Sequence, residues 1–328
     1  MDNYFLKTIF ALAFILILSS CEKEKSSVSF TAAVPVTEYN LYAVRELNGD
    51  SIVACGGKDN NGILLLSADK GATWNILSNS FDQVIYDVYF MNDHFGFACG
   101  GTPDVFKTDD GGKNWEKISL PFPGTGFPLN YRVPLRKIFF VNDSLGFISG
   151  GGRFEAGIIF KTIDRGVNWT LSTFSNELRG ILFLNEQTGF ACGYGIMLRT
   201  DDSGINWNVI SSPNEFCTSF AVASDELYTS GYNGGIYKTP GDNINWNSIN
   251  DGNNAFSNRI HFNCITAATN GTLVAAGNDG IIAVSYDHGA SWDEGESFNG
   301  ATIKSILLTD DHTGIAAGND GMIFKFSY

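Results

Sequence analysis

Six tryptophans recur in one eight-residue frame, and this repetition constrains the fold more than any other feature of the sequence. Each Trp ends an octet of the form Ser/Thr-x-Asp-x-Gly-x-x-Trp, at intervals of 38 to 54 residues. Intervals of roughly 40–50 residues are typical of propeller blades built from four strands. Clean octets occupy residues 67–74, 108–115, 162–169, 200–207 and 285–292, and residues 239–246 form a copy in which Gly241 and Asn243 replace the Asp and the Gly.

A column of glycines gives the number of units. One glycine ends an apolar strand in each unit: Gly56, Gly100, Gly150, Gly193, Gly231, Gly277 and Gly318. Seven glycines indicate seven units. The residue before each of them is Cys, Ser or Ala, which is typical of a small buried side chain.

The fourth unit shows how the strands are arranged within a unit. β-Branched and aromatic residues predict strands over residues 178–184, 189–192, 196–200 and 207–210, with a tight turn at residues 202–204. The last unit ends at Tyr328, where its fourth strand should begin, and residues 28–34 form an unassigned strand-like segment. We therefore expect an all-β, seven-bladed propeller with four antiparallel strands per blade, closed by an N-terminal strand that completes the last blade. Residues 28–328 would form this single domain.

The N-terminus has the features of a targeting signal. Lys7 precedes an apolar run at residues 8–18, which is too short to span a bilayer, and Leu18-Ser19-Ser20-Cys21 resembles a bacterial lipoprotein box. We expect a signal peptide at residues 1–20, lipidation of Cys21 and a tether over residues 21–27. The mature protein would then be extracytoplasmic and attached to a membrane only through this lipid. An ordinary secretory signal that contains a cysteine is the alternative.

Charge and cysteine content exclude several classes of function. A net charge of −14 argues against nucleic acid as a partner and against electrostatic docking on anionic lipid. After Cys21, five cysteines remain, of which Cys217 and Cys264 could approach one another in neighbouring units. The sequence contains no CxxC motif and no His-Cys cluster, so we assign no metal and no cofactor.

The octet resembles the Asp-box, or BNR repeat, of sialidases and related propellers. The whole unit, as in residues 178–207, resembles the repeat of the photosystem II stability/assembly factor-like propeller family. In these families the Asp-box lies on the face opposite the ligand site. This resemblance implies structural roles for the octet residues, which are Asp69, Asp110, Asp164, Asp202, Asp287, Trp74, Trp115, Trp169, Trp207, Trp246 and Trp292.

The first strand of each blade should line the central channel. Aligning the seven first strands places these residues near the channel entrance: Tyr42, Tyr86, Arg136, Arg179, Ser219, Asn263 and Lys304. Three are basic and none is acidic, although the chain has a large excess of acids. A basic ring could receive a carboxylate, an acidic peptide or an anionic glycan. Scattered surface cations that aid solubility are the alternative.

Long connections should lie on the same face. Residues 121–134 and 150–157 flank Arg136, and residues 250–261 lie across the ring. They add Tyr131, Arg132, Arg153 and Arg259 to the candidate partner-binding residues. We expect this face to bind a protein partner in the cell envelope, in the manner of an assembly or stability factor, and the protein to be a monomer without catalytic residues.

An enzyme is the competing hypothesis. Tyr131-Arg132-Val133-Pro134 is similar to the Phe/Tyr-Arg-Ile-Pro motif of sialidases, whose Arg binds the substrate carboxylate. A sialidase also needs a full arginine triad, a Tyr/Glu pair and an acidic proton donor, which the sequence does not place. A glycan-binding or sialidase-like glycoside hydrolase that uses the same face therefore stays the alternative function.

Overall fold

The computed structural model describes residues 28–122, 133–213, 216–241, 244–250, 256, 260–295, 297–298 and 300–328. These residues form seven antiparallel sheets of four strands each, and in six of them the strands lie in chain order. The predicted seven-bladed propeller is confirmed. No helix among the described residues has the length and apolar character needed to cross a bilayer.

The first four blades span the N-terminal half of the chain. They comprise β2 (Asn40–Asn48), β3 (Ser51–Lys58), β4 (Asn61–Ser67) and β5 (Asn75–Phe81) in blade one; β6 (Ile85–Phe90), β7 (Gly96–Gly100), β8 (Asp104–Thr108) and β9 (Glu116–Ser119) in blade two; β10 (Leu135–Phe140), β11 (Gly146–Gly152), β12 (Ala156–Thr162) and β13 (Thr170–Phe174) in blade three; and β14 (Leu178–Phe183), β15 (Gly189–Gly193), β16 (Met197–Thr200) and β17 (Asn208–Ile210) in blade four.

The last three blades complete the ring. They comprise β18 (Cys217–Ala223), β19 (Glu226–Gly231), β20 (Ile236–Pro240) and β21 (Asn247–Ser248) in blade five; β22 (Phe262–Ala267), β23 (Leu273–Gly277), β24 (Ile282–Ser285) and β25 (Asp293–Glu294) in blade six; and β26 (Ile303–Leu308), β27 (Thr313–Gly318), β28 (Ile323–Ser327) and β1 (Ser29–Ala32) in blade seven. The four strands predicted for the fourth unit match β14 to β17 within one residue at each end.

The N-terminal strand closes the ring, as predicted. β1 pairs antiparallel with β28, from Ser29 opposite Ser327 to Ala32 opposite Phe324. The Phe30 ring packs on Phe298 and Phe324, with centroids 5.5 Å from each. The first and last described strands thus lie in one sheet, and β1 supplies the fourth strand of blade seven.

The two ends of each blade have different roles. The first strand of each blade is innermost, and neighbouring strands run antiparallel. The first strand therefore begins at the same end of the blade as the connection between the second and third strands, and we call this the mouth end. The opposite end carries the octet turn, and we call it the octet end. There, octet amides hydrogen-bond to the connection between the first and second strands: Arg165 N–H donates to Ser144 O over 3.2 Å and Ser203 N–H donates to Gln187 O over 3.0 Å.

The octet residues stabilise this turn. In blade four, Asp202 Oδ1 accepts hydrogen bonds from the Thr200 hydroxyl and the Asn206 N–H, and Asp202 Oδ2 accepts one from the Asn206 side-chain amide. Donation by the backbone and then the side chain of Asn206 lowers the pKa of Asp202 to about 2. The closing Trp packs between blades: Trp169 of blade three lies against Phe97 of blade two. We therefore interpret the octet as part of the scaffold.

Seven apolar clusters fill the seven spaces between neighbouring blades. The second strands lie at the centre of these layers, and β7, β15 and β23 are buried at every residue. The predicted column of small residues is fully buried as well, at Cys55, Cys99, Ser149, Cys192, Ser230, Ala276 and Ala317. Cys217 and Cys264, which the sequence left as a possible pair, are both buried and are not joined by a disulfide.

Candidate functional site

Each innermost strand carries an irregularity at the same place, one residue after it begins at the mouth end. The pairing with the second strand skips one residue in all seven blades. A bulge of this kind re-aims a side chain. The skipped residues are Tyr42, Tyr86, Arg136, Arg179, Thr218, Asn263 and Lys304. The sequence alignment identified six of them; in blade five the equivalent residue is Thr218, and the predicted Ser219 lies one position further along the strand.

The glycine column explains why the bulge recurs. A Cβ atom at any of the seven column glycines would lie 1.8 to 2.2 Å from the carbonyl oxygen of the residue that precedes the innermost strand. The residue after the glycine donates its N–H to that same carbonyl, as Gly101 does to Val84 and Tyr194 does to Glu177, over 2.9 and 3.0 Å. Only glycine permits this close approach of two backbones. The repeat therefore places one side chain per blade at the channel mouth.

Cations and aromatic rings lie in contact with one another around the mouth. The Lys304 ammonium lies 5.1 Å from the centroid of the Tyr42 ring, and Tyr42 packs edge-on against Tyr86 at 4.8 Å. The Arg136 guanidinium lies 4.5 Å from the Tyr86 ring, and that of Arg179 lies 4.9 Å from the Tyr194 ring. Each contact is a cation–π or aromatic pair that holds the charged group in place without neutralising it.

The row of rings continues beyond blade four. The Tyr194 ring lies 6.3 Å from Tyr232, and Tyr232 lies 4.5 Å from the His261 imidazole. The Arg179 Nη2 donates to the Tyr194 hydroxyl over 2.8 Å. Burial raises the pKa of Tyr194 to about 12, so this hydroxyl is neutral at physiological pH and available as a polar contact. An aromatic arc thus connects blades one and two with blades four to six.

Glu177 lies between the two arginines and was not identified from the sequence. Its side chain is only 3% exposed, and its Oε1 lies 3.1 Å from both Arg136 Nη2 and Arg179 Nε. One carboxylate therefore balances two guanidinium groups that would otherwise repel each other. Glu177 precedes β14, and its carbonyl accepts the Tyr194 N–H. The sequence contains a signal for Glu177: it directly precedes Leu178, which pairs with the column glycine Gly193, and Tyr194 directly follows that glycine.

Lys304 is different from the two arginines. Among the described residues, no carboxylate lies within ion-pair distance of its ammonium, and its polar contact is the Tyr42 ring. Burial, together with the nearby charges of Arg179 and Arg136, lowers the pKa of Lys304. A partly buried cation among like charges is stabilised by an incoming anion.

A second charged group lies deeper in the channel. Asp87 is 1% exposed, and its carboxylate lies 2.7 Å from Arg45 Nη2 and 3.6 Å from Lys137 Nζ, while Ile138 N–H donates to its Oδ2. These residues connect the innermost strands of blades one, two and three. Burial and the nearby Arg45 lower the pKa of Lys137. As at the mouth, the basic groups outnumber the acidic one.

The channel forms a cavity of about 470 Å³ that includes the mouth residues and Arg45 and Lys137. Its described lining contains five basic side chains and no Asp or Glu, because Asp87 and Glu177 lie behind the arginines and lysines. A chain of net charge −14 thus has a channel of opposite sign. Such a surface attracts anionic groups and offers aromatic faces beside them.

The described lining lacks the carboxylate pair that a glycosidase requires. A Tyr/Glu pair is present elsewhere: the Tyr228 hydroxyl donates to Glu226 Oε2 over 2.7 Å, and Lys238 Nζ lies 3.2 Å from the same oxygen. Glu226 begins β19 at the octet end, so this pair does not share a cavity with Arg136 and Arg179. The described residues also contain no group of three or more metal-ligating side chains.

The predicted site residues are distributed as follows. Arg136, Arg179, Lys304 and Tyr86 lie together at the mouth. Arg153 is exposed in the connection between β11 and β12, which is at the mouth end, and the adjacent Phe154 packs on Tyr194. Tyr131, Arg132, Arg259 and Cys21 lie outside the described residues.

Comparisons with known proteins agree with this architecture. A family model described as photosynthesis system II assembly factor YCF48 matches residues 70–212. The photosystem II assembly lipoprotein Ycf48 of Synechococcus sp. (strain CC9902) is 28% identical over 120 residues, which cover 37% of this chain and 33% of that protein. The match therefore spans a third of the length of this curated relative.

Solved structures are similar over nearly the whole chain. A structure described as YCF48 bound to D1 peptide has a TM-score of 0.69 and 17% identity, over 91% of this chain and 95% of its own. The WD40 β-propeller domain of Doa1 has a TM-score of 0.68 and 11% identity, over 92% and 97%. Such likenesses at low identity show the fold alone, whereas the residues matched by the family model include three complete octets. The predicted resemblance to the photosystem II assembly factor-like β-propellers is thereby confirmed.

Proposed function

We propose that this protein is a non-catalytic, lipid-anchored propeller that binds a protein partner in the cell envelope through its channel mouth. The observation that carries the proposal is the charge of the channel lining: five basic side chains face the cavity, and the two nearby carboxylates lie behind them. The mouth would bind an acidic group of the partner, with Lys304 as the cation that has no ion pair among the described residues.

The aromatic arc supports a polypeptide as the ligand. Tyr42, Tyr86, Tyr194 and Tyr232 present partly buried rings beside the cations, which is the composition of protein-binding hot spots. The relative whose structure is described as bound to D1 peptide binds a peptide. Arg132 and Arg259 would extend the basic surface, and Arg153 adds an exposed cation at the mouth end.

The anchor is the second part of the proposal. Cys21 follows Leu18-Ser19-Ser20, and the similar Synechococcus protein is named a lipoprotein. Acylated Cys21 would hold the propeller at the membrane surface on the extracytoplasmic side, so that it meets envelope proteins during their assembly.

Lys304→Met tests the mouth more cleanly than changes at the arginines. Replacing Arg136 or Arg179 leaves the buried Glu177 with less positive charge, which destabilises the blade. Lys304→Met removes a charge but keeps an unbranched chain over Tyr42. Lys113→Met, an exposed lysine in the octet of blade two, is the matched control.

The experiment is affinity capture from envelope extract of the source cells with residues 22–328 as bait. We expect one acidic partner to be captured by the wild type and by Lys113→Met, and its recovery to fall by about tenfold with Lys304→Met, the loss of one desolvated charge contact. Equal recovery with Lys304→Met would remove the mouth from the proposal. Binding to an anionic glycan array, without any captured protein, would favour the glycan-binding alternative.

A further inference from the structure

The path of the N-terminal strand fixes where the chain enters the propeller. Ser29, at the start of β1, pairs with Ser327 at the end of β28, and the Tyr328 N–H donates to His312 O over 3.0 Å. His312 lies in the connection between β26 and β27, which is at the octet end of blade seven. The chain therefore enters from the octet end, and Val28 is already buried there at 6% exposure.

The short tether limits the distance between the lipid on Cys21 and the octet end of blade seven. Six residues lie between Cys21 and Val28, and the seven residue steps from one to the other reach at most about 25 Å when extended. A lipid on Cys21 would therefore keep the octet end of blade seven close to the membrane surface. The channel mouth, at the other end of the blades, would point away from the bilayer.

The octet end also carries exposed aliphatic side chains on the far side of the ring. Ile163 and Val167 in the octet of blade three are 71% and 76% exposed, and Ile205 in the octet of blade four is 71% exposed. The residues equivalent to Val167 and Ile205 in blades one, two and six are Ala72, Lys113 and Ala290. In a ring of seven, blades three and four lie opposite blade seven, where the tether enters.

The two arginines nearest these three side chains are already paired with carboxylates. Arg165 Nη2 lies 3.1 Å from Asp143 Oδ2, and Arg199 Nη2 lies 2.8 Å from Asp201 Oδ1. The carboxylate of Asp202 accepts hydrogen bonds within its own turn. The surroundings therefore provide no cation excess for anionic headgroups, and any contact with lipid would be made by the aliphatic groups.

We propose that Ile163, Val167 and Ile205 form a second membrane contact, opposite the acyl anchor on the same face of the propeller. The propeller then lies with its octet end on the bilayer interface, held at blade seven by the lipid on Cys21 and at blades three and four by these aliphatic side chains. The occupant of this surface is the phospholipid interface of the membrane that holds the anchor. The inference rests on the lipid anchor of the proposed function and adds an orientation: the basic mouth faces away from the membrane.

The test uses the acylated protein in phosphatidylcholine vesicles. An environment-sensitive fluorophore is attached at Val167→Cys or, as the control at the mouth end, at Asn60→Cys in the exposed turn between β3 and β4. The five cysteines of the propeller are buried, so the introduced thiol is labelled selectively. We expect a blue shift and quenching by spin-labelled lipid for the Val167 label, and neither for the Asn60 label. Ile163→Ser with Ile205→Ser should abolish the quenching at position 167.

Flotation separates failure of the inference from failure of the anchor. If the wild type floats with vesicles and Cys21→Ser does not, the anchor holds, and an unquenched label at position 167 then overturns the inference alone. If Cys21→Ser still floats partially, the triple serine variant at positions 163, 167 and 205 should reduce that fraction by about tenfold, as expected from lost apolar insertion; no reduction overturns the inference. If the wild type does not float, both the anchor and the second contact are wrong.

Discussion

The close contact behind each channel-mouth bulge can be tested with two adjacent glycines of blade two. Gly100 belongs to the column, and a Cβ atom there would lie 1.8 Å from Val84 O. Gly101 follows it, and a Cβ atom there would lie 3.9 Å from the same oxygen, at an ordinary van der Waals distance and without a left-handed φ. Gly100→Ala and Gly101→Ala therefore add the same methyl group to neighbouring positions with opposite steric outcomes.

The magnitude follows from the geometry. Gly100→Ala must separate β7 from the start of β6 by more than an ångström, since real Cβ contacts stay above 3.0 Å. This overpacks the strand at a cost of about 1–3 kcal/mol. It also breaks the Gly101 N–H to Val84 O hydrogen bond of 2.9 Å, at about 1 kcal/mol. The lower entropy of the unfolded alanine chain offsets about 0.4–1 kcal/mol.

We therefore expect Gly100→Ala to lower the free energy of unfolding by about 2–3 kcal/mol. Gly101→Ala should be neutral or up to about 1 kcal/mol more stable than the wild type. Urea titration followed by tryptophan fluorescence measures both; with a slope of about 3 kcal/mol/M, the Gly100→Ala midpoint falls by roughly 0.7–1 M. A Gly100→Ala midpoint within about 0.2 M of the wild type, or equal losses in both variants, would refute the steric explanation of the glycine column.

Three further predictions concern the scaffold. Asp202→Asn should lower the urea midpoint at pH 7. Since the pKa of Asp202 is lowered to about 2 in the fold, the stability that its carboxylate contributes is complete above about pH 4 and is lost as the pH falls from about 4 to about 2. The difference in midpoint between variant and wild type should therefore close over this pH range, and a difference that widens would contradict this account. Phe30→Ala should destabilise the protein by about 2 kcal/mol, because packing on Phe298 and Phe324 is lost. Thr31→Ala, at an exposed position of the same strand, is the control and should stay within about 0.5 kcal/mol of the wild type. Equal urea midpoints for the two variants would exclude strand β1 from the closure of the ring. Burial raises the pKa of every propeller thiol that shows a shift, and it raises that of Cys264 to about 12. A thiol reagent should therefore modify the five buried cysteines only as the protein unfolds. Rapid labelling of any of them in the native state would show an open channel wall.

Glu177 changes how the mouth is understood. A basic ring read from the sequence contains Arg136, Arg179 and Lys304 as equal members. In the structure the arginines share Glu177, and only Lys304 lacks a carboxylate among the described residues within ion-pair distance. Charge at the mouth is therefore concentrated near blade seven, next to the aromatic pair of Tyr42 and Tyr86.

The proposed orientation gives the two ends of the propeller separate tasks. The octet end would hold the membrane, through the lipid on Cys21 and the aliphatic side chains of blades three and four. The mouth end would be free to receive a partner. Since β1 is part of blade seven, the strand that closes the ring is also the strand that joins the propeller to its tether.

The sequence by itself determined the number of blades, the strands within them and the closing strand, because each repeat must satisfy the same local geometry. The octet indicates a tight turn, and the glycine column gives the number of units, whereas the contact between two backbones at each column glycine was found in the structure. The alignment of first strands also identified six of seven mouth residues, because the bulge recurs at one position. In blade five, whose octet is degenerate, the alignment identified Ser219, whereas the structure places Thr218 at the mouth.

Only the tertiary structure decided which charges remain unbalanced and at which end of the blades the described chain enters the propeller. Glu177 precedes its strand and reaches Arg136 of the neighbouring blade, a contact across 41 residues that no periodic pattern encodes. The tether's position depends on the direction in which β1 pairs with β28, which is a property of the closed ring. Ile163, Val167 and Ile205 are ordinary variable positions of the octet in the sequence, and they lie exposed in blades three and four, opposite blade seven, because seven blades close into a circle.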